Sequence, residues 1–271
     1  MSFHIGKNCQ IHPSVVINVK EGSLGDGAVI NENVRIEGQK VIIGRESFID
    51  RGATIGGGSC FDPQAELISG DWLHLGVNSH INIARGVYVG HEFGCGIETK
   101  IFTHGVYTDS YNLGAPAQWG SVYIGNQVWC PNAWINPGVK IGNQVVVSAR
   151  SLINSDLPDR CLAGGAPAKV IRENYLPREV DQKKIIDDII VQTKKRLEQD
   201  ENAHQVNFLF SPSQNTLLIK NNQAETLFYL AEKKIYGNEK EATLILKDQL
   251  RRNGIRFRYE WTKDEWTAWK K

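Results

Sequence analysis

Proton transfer near neutral pH calls for an imidazole or a strongly shifted carboxylate. The chain offers seven histidines, His4, His12, His74, His80, His91, His104 and His204. His104 stands apart, because it closes Ile101-Phe102-Thr103-His104-Gly105 just where the sequence pattern changes completely. Residues 105–121, GVYTDSYNLGAPAQWGS, are rich in Gly, Ala, Pro and aromatics. Within them Tyr107, Tyr111 and Trp119 offer aromatic faces and Asp109 a carboxylate that can bind hydroxyls, so all four are candidate ligand contacts. Asp109 could also orient His104, as a carboxylate orients histidine in nucleophilic triads. His91, in Val89-Gly90-His91-Glu92-Phe93-Gly94, occupies an ordinary turn position and is read as structural.

What must position these residues is a six-residue beat. Ile135, Ile141, Val147 and Ile153 recur at that interval, each followed by a small or polar residue (Asn136, Gly142, Ser148, Asn154). A helix would repeat at three to four residues and a hairpin sheet at two, so the period fits neither. It fits a β-solenoid, whose units bury their apolar side only by stacking on copies of themselves. The same beat runs from Ile5, Ile11 and Ile17 through Leu24, Ile30 and Ile36 to Ile43, Ile49, Ile55 and Phe61. Small fifth residues (Ala28, Val34, Ser47, Ala53, Ser59, Ala65) should fill the interior beside them. Three hexads would make one triangular coil of about eighteen residues, with strands of successive coils paired in parallel. The beat continues through Leu75, Ile81, Val89, Cys95 and Ile101, breaks at 105–121, and resumes at Ser121 until Pro158. A break of that length places a loop outside the prism, and long ordered loops are usually functional.

Beyond the coil the grammar changes. Residues 178–199 carry Val180, Ile185, Ile186, Ile189, Ile190 and Leu197 among charges, an amphipathic helix. Short β runs follow at 206–210, 216–220 and 226–230, then a helix around 239–252 that ends at Asn253-Gly254, a left-handed cap. The division expected is therefore 1–177 for the solenoid, 178–199 for a linking helix and 200–271 for a small α/β module. With 31 basic and 30 acidic residues, bulk charge gives no nucleic-acid surface. No apolar run is long enough to span a membrane, and MSFHIGKNCQ lacks a signal-peptide pattern, so a cytoplasmic protein is expected. Five dispersed cysteines without a CxxC pair suit reduced core thiols.

The repeats of 5–157, the segment IGNQVWCPNAWINPGVKIG and the terminal motif GGAPAKVIR at 164–172 together resemble the hexapeptide-repeat acyltransferases. Within that group the chain looks most like bacterial sugar acetyltransferases of the galactoside, maltose and surface-polysaccharide type. The resemblance implies a mainly β fold, a left-handed parallel β-helix, assembled as a homotrimer with acyl-CoA in grooves between neighbouring coils. It supplies the handedness, since a parallel crossover is ordinarily right-handed. It also implies that His104 is the general base and that Asn82 lines the acceptor pocket, holding an acceptor hydroxyl or aiding the oxyanion. On the cofactor side it implies Trp129 beside the pantetheine arm and backbone amides near Ala149. Gly165 and Ala166 would leave room for adenine, and Lys169 and Arg172 would face the phosphates. The excursion, through Tyr107, Asp109 and Trp119, would form the acceptor pocket. The sequence departs from the group by reading Ser148-Ala149-Arg150-Ser151 where Gly-Ala-Gly-Ser is common, and by five residues, not six, from Cys130 to Ile135. No metal is expected. Gamma-type carbonic anhydrases share the solenoid, but their paired histidines lie five apart, and five residues after His91 comes Gly96.

The reading is an acetyl-CoA-dependent transferase acting on a sugar or nucleotide-sugar hydroxyl in surface-polysaccharide biosynthesis. N-acetylation of an amino-sugar nucleotide is the alternative, and a trimeric non-catalytic scaffold the remoter one.

Overall fold

The computed structural model describes residues 2–105, 108–198, 206–220, 225–238, 241–262 and 265–268. The chain divides into two compact units, residues 1–178 and 179–271.

The first unit is a left-handed parallel β-helix. A 12-stranded sheet turns a corner within the long strands Val16–Leu24 and Arg35–Ile43, giving two sides of a triangular prism; a 9-stranded sheet gives the third. The interior follows from the hexad beat, because parallel register puts each leading aliphatic residue directly on the one before. On one side Ile36, Ile55, Ile81, Ile101, Ile135 and Ile153 form a continuous column. On the next, Ile11, Ile30, Ile49, Leu75, Cys95 and Cys130 stack in the same way. Ala28, Val34, Ser47, Ala53 and Ala65 are buried beside these columns, as the narrow cross-section requires. Cys60, Cys95, Cys130 and Cys161 are buried thiols, and burial pushes Cys130 well above the ordinary thiol range.

Two expectations fail together. Phe61 is 39% exposed rather than interior, and Ser59 is exposed with φ +62°. The coil is left after Thr54–Gly56 and rejoined at Glu66–Ser69, so residues 57–65 form a second excursion. The shortened step from Cys130 to Ile135 is absorbed at Pro131-Asn132, with Asn132 at φ +51°. The buried Thr99 hydroxyl donates to the Cys130 carbonyl (3.1 Å) and accepts from the Ala133 amide (3.3 Å), which satisfies that corner. Beyond the last coil Leu162–Gly165 pairs antiparallel with Ala168–Arg172.

The second unit is built on an antiparallel sheet. Asn207–Ser211, Thr216–Lys220, Glu225–Tyr229 and Lys234–Asn238 run in order, followed by Glu265–Ala268 and Tyr259–Thr262. Helix Gln182–Leu197 is capped by the Asp181 carboxylate, which accepts from the Lys184 amide at 3.0 Å. Its Ile186 and Ile189 pack with Leu217, Ile219, Phe228 and Ile235 of the sheet and Leu246 and Leu250 of helix Glu241–Arg252. That helix ends at Gly254, φ +77°.

Asp248 ties the helices of this unit together, accepting from Arg196 and Arg251 at 2.7 Å each and from Arg252 at 2.8 Å. Burial pushes its carboxyl up, but the hydrogen bonds from Arg252, Arg196 and Arg251 outweigh that and hold it well below the usual carboxylate range. A carboxyl depressed in the folded state stabilises above its unfolded value of about 3.9 and loses that contribution as pH falls toward the folded value. Asp248→Asn should therefore lower the urea midpoint of the second unit near neutral pH. The gap to the native chain should narrow as pH falls from about 4 to about 2. A gap that stays constant with pH would remove the ionic explanation.

Candidate active site

Asn82 ends the strand His80–Asn82 and is 3% exposed, with its side chain turned to the corner where the coil next bends. Its amide oxygen accepts from the Thr103 hydroxyl at 2.7 Å and from His104 Nδ1 at 2.9 Å. Its amide nitrogen donates to the Gly56 and Gly58 carbonyls, each at 3.4 Å. An amide oxygen can only accept, so the His104 proton sits on Nδ1 and the lone pair on Nε2. The orienting group for His104 is thus Asn82. The Asp109 carboxylate is engaged elsewhere: it accepts from the amides of Tyr111 and Asn112, each at 2.8 Å, and from the Asn112 side chain at 2.6 Å. The Asn112 backbone and side-chain bonds hold Asp109 below its ordinary value.

The excursion returns as the short strand Gln118–Trp119, paired antiparallel with His104–Gly105. This lays the Trp119 indole on the imidazole, with centroids 4.9 Å apart and planes 16° from parallel. One indole face is therefore taken by the histidine and not open to a sugar ring. The Arg85 guanidinium lies 4.2 Å from the Trp119 ring centroid and 3.8 Å from the Asp62 carboxylate. Arg85 thus touches both excursions, the one at 57–65 through Asp62 and the one at 105–121 through Trp119. Tyr107 lies outside the described residues.

The cofactor-side candidates gather on the third side of the prism. Trp129, Val146, Leu162 and Arg172 are consecutive members of one cross-strand row. Lys169 pairs with Gly164, two residues from Leu162, so it shares the face of Arg172. A spacing of three along a regular strand would put the two cations on opposite faces; the register shift beside Leu162 and Ala163 brings them to the same one. From Trp129 to Arg172 the row covers three strand spacings, about 14 Å. Trp129 is 43% exposed, and its ring covers Gly94, where a β-carbon would stand 2.8 Å from Cε3. Ala149 is exposed on the corner beyond Val147, followed by Arg150 at φ +59°. Gly165 carries φ +104° and donates its amide to Ser151 Oγ at 3.2 Å, and Ala166 is exposed beside it.

The side formed by His80–Asn82, Lys100–Ile101, Trp134–Ile135 and Leu152–Ile153 lies between the two groups. Asn82 and His104 follow its strands, whereas Ala149 and Arg150 precede them, so one chain does not bring the groups together. Burial, then the Lys100 cation, lowers the pKa of His80 on this side, and its Nδ1 bonds Thr54 Oγ1 at 2.6 Å. His91 is a corner residue, accepting from the Asp71 amide at 2.9 Å. Among the described residues no group of three or more His, Cys, Asp and Glu side chains forms a ligand set. No described helix is long and apolar enough to cross a membrane.

The residues that the sequence reading did not single out are Gly57, Gly58, Arg85 and Thr103. The only signal for the first two was the Gly56-Gly57-Gly58-Ser59 run inside an apparent hexad.

The solenoid thus carries a coil-end histidine oriented by a buried amide. No family model matches the chain. It is 30% identical over 139 residues to the galactoside O-acetyltransferase of Escherichia coli K12, covering 48% of this chain and 68% of that protein. The chain belongs to this family, the hexapeptide-repeat acetyltransferases, and is an acyltransferase. Among solved structures it is similar to a hexapeptide-repeat acetyltransferase from Vibrio cholerae in complex with acetyl-CoA, at 20% identity and TM-score 0.36 over 63% of this chain and 70% of that one. It is also similar to perosamine N-acetyltransferase from Caulobacter crescentus in complex with CoA and GDP-perosamine, at 25% identity and TM-score 0.39 over 61% and 57%.

Removing the Asn82 amide would leave the Thr103 hydroxyl, the His104 Nδ1 proton and two glycine carbonyls without that partner. Asn82→Ala should lower the unfolding free energy of the first unit by about 1–3 kcal/mol, read by chemical denaturation. An unchanged midpoint would mean that water replaces the amide without cost.

Proposed function

We propose that this chain transfers an acetyl group from acetyl-CoA to a hydroxyl of a sugar or nucleotide-sugar in surface-polysaccharide biosynthesis, with His104 as general base. The observation that carries this reading is the 2.9 Å bond from His104 Nδ1 to the Asn82 amide oxygen, which leaves Nε2 as the proton acceptor. Nε2 takes the hydroxyl proton as the oxygen attacks the thioester carbonyl. The C–O bond forms, the C–S bond breaks, and the imidazolium returns the proton to the departing sulfur. An amide partner keeps the imidazole in one tautomer and adds no negative charge to the site.

On the donor side, Trp129 would flank the pantetheine arm, amides near Ala149 would meet its amides, and Gly165 and Ala166 would accommodate adenine. Lys169 and Arg172, both exposed and on one face, would meet the phosphates. The length of the row from Trp129 to Arg172 suits an extended pantetheine arm. On the acceptor side, Tyr107, Asp109 and the exposed edge of Trp119 would contact the sugar. The separation of the two groups by one side of the prism supports a homotrimer in which a neighbouring coil completes each site. The dependence on acetyl-CoA supports a cytoplasmic location.

His104→Ala should cut turnover by roughly 10²–10⁴ while acetyl-CoA binding, read by thermal shift, is retained. The assay is thiol release from acetyl-CoA with a panel of hydroxyl sugars and amino-sugar nucleotides. Near-native turnover in the variant would remove His104 from the base role. A preference for the amino-sugar nucleotides would turn the reading to N-acetylation.

A further inference from the structure

The chain leaves the coil for the excursion at 57–65 through Gly56-Gly57-Gly58, and the three glycines have different reasons for being there. Gly56 has φ +141°, and a β-carbon on it would meet the Glu37 carbonyl at 3.0 Å. Gly57 has φ +92°, and a β-carbon on it would stand 2.9 Å from Asn82 Nδ2. Backbone conformation and crowding demand glycine at both. Gly58 has neither constraint. Its φ lies outside the left-handed region, and a β-carbon on it would meet only the His104 ring, at 3.7 Å from Nε2 and 3.8 Å from Cε1. Those are ordinary van der Waals distances, so the fold itself would accept a side chain here.

The Gly58 backbone is also fixed in place. Its carbonyl accepts from Asn82 Nδ2, the neighbouring Gly57 carbonyl accepts from the Cys60 amide at 3.3 Å, and the Cys60 carbonyl accepts from the Gln39 amide at 2.7 Å. The peptide at Gly58 is therefore a fixed floor beside the one imidazole nitrogen that holds a lone pair. Nδ1 is closed by Asn82 and one ring face by Trp119.

We propose that Gly58 is a specificity-determining residue: the missing side chain is the space through which the acceptor's reacting group reaches His104 Nε2. The proposal rests on the reading of His104 as the base and adds the route by which the acceptor arrives. It explains why the chain keeps a glycine where neither φ nor packing asks for one. It also sets the direction of size dependence, since each carbon added at position 58 occupies volume next to Nε2. A methyl group would fit in contact with the ring, whereas a branched side chain would cover the nitrogen.

Access to Nε2 can be measured without an acceptor and without turnover. Diethyl pyrocarbonate modifies an imidazole nitrogen that carries a lone pair, and peptide mapping reads each histidine separately. In Gly58→Val the His104 modification rate should fall several-fold, with exposed His12 in the same digest unchanged. Gly58→Ala should give a smaller fall, and it guards against misfolding because its β-carbon fits at 3.7 Å. Both variants should show the native thermal shift with acetyl-CoA. Equal His104 rates in the native chain and in a Gly58→Val chain with native melting would overturn the proposal, as would a loss confined to a variant that no longer melts cooperatively while Gly58→Ala labels like the native chain. Because the labelling reports access alone, it can fail while His104→Ala still cuts turnover, and the converse also holds.

Discussion

The constraint on which the first unit depends is the width of its interior. A triangular coil has room for one leading aliphatic side chain per side and a small one beside it, and parallel register stacks each on its equivalent in the next coil. The column Ile36-Ile55-Ile81-Ile101-Ile135-Ile153 is the direct result. Such a column leaves the backbone no freedom to slip, because one residue of slippage would turn every aliphatic chain outward. Anything the chain adds must therefore leave the coil at a corner and return to the same register. Both excursions do so: residues 57–65 leave after Gly56 and return at Glu66, and the second leaves after His104 and returns at Val122.

Corners are also where a solenoid can display chemistry, since side chains within the strands either fill the interior or lie on flat sides. Asn82 and His104 follow adjacent strands of one side, Asn82 at the end of His80–Asn82 and His104 just beyond Lys100–Ile101. The buried amide faces three ways at once. It fixes the imidazole, it satisfies Thr103, and it holds the glycine loop through the Gly56 and Gly58 carbonyls. Buried polar groups of this kind are costly unless every partner is present, so the site's geometry is tied to the completeness of that small network. Arg85 couples it further, reaching Trp119 on one excursion and Asp62 on the other.

The columns were readable in the sequence because their period is a property of residue order alone. The place of His104 at a coil end was readable for the same reason, as the last regular residue before the period fails. The excursion at 57–65 was not readable, because Phe61 falls six residues after Ile55 and imitates the next hexad. In the folded chain Phe61 is on the surface, with the Lys20 ammonium 5.7 Å from its ring. Nor could residue order tell which way the Asn82 amide points, so its link to the imidazole is a property of the folded chain alone. The pairing of Lys169 with Arg172 on one face depends on a register shift that a spacing of three would have argued against.

Arg150 shows how the same corner rule recasts a departure in sequence. Its φ of +59° is the left-handed conformation, which favours glycine, and a small residue is common there in the group the chain resembles. Yet Asn33, Glu46, Asn78, Glu92, Glu98, Gln127, Asn132 and Gln144 hold φ between 51° and 61° across the solenoid. The corner imposes that conformation on whatever residue occupies it, and the stacked coils on either side supply the compensation. At Arg150 part of that compensation is visible, since its amide donates to the Asn132 carbonyl of the preceding coil at 2.8 Å. The departure therefore sits in a corner conformation that the solenoid uses throughout. What it changes is the charge next to Ala149, a guanidinium added to the end of the prism that already carries Lys169 and Arg172.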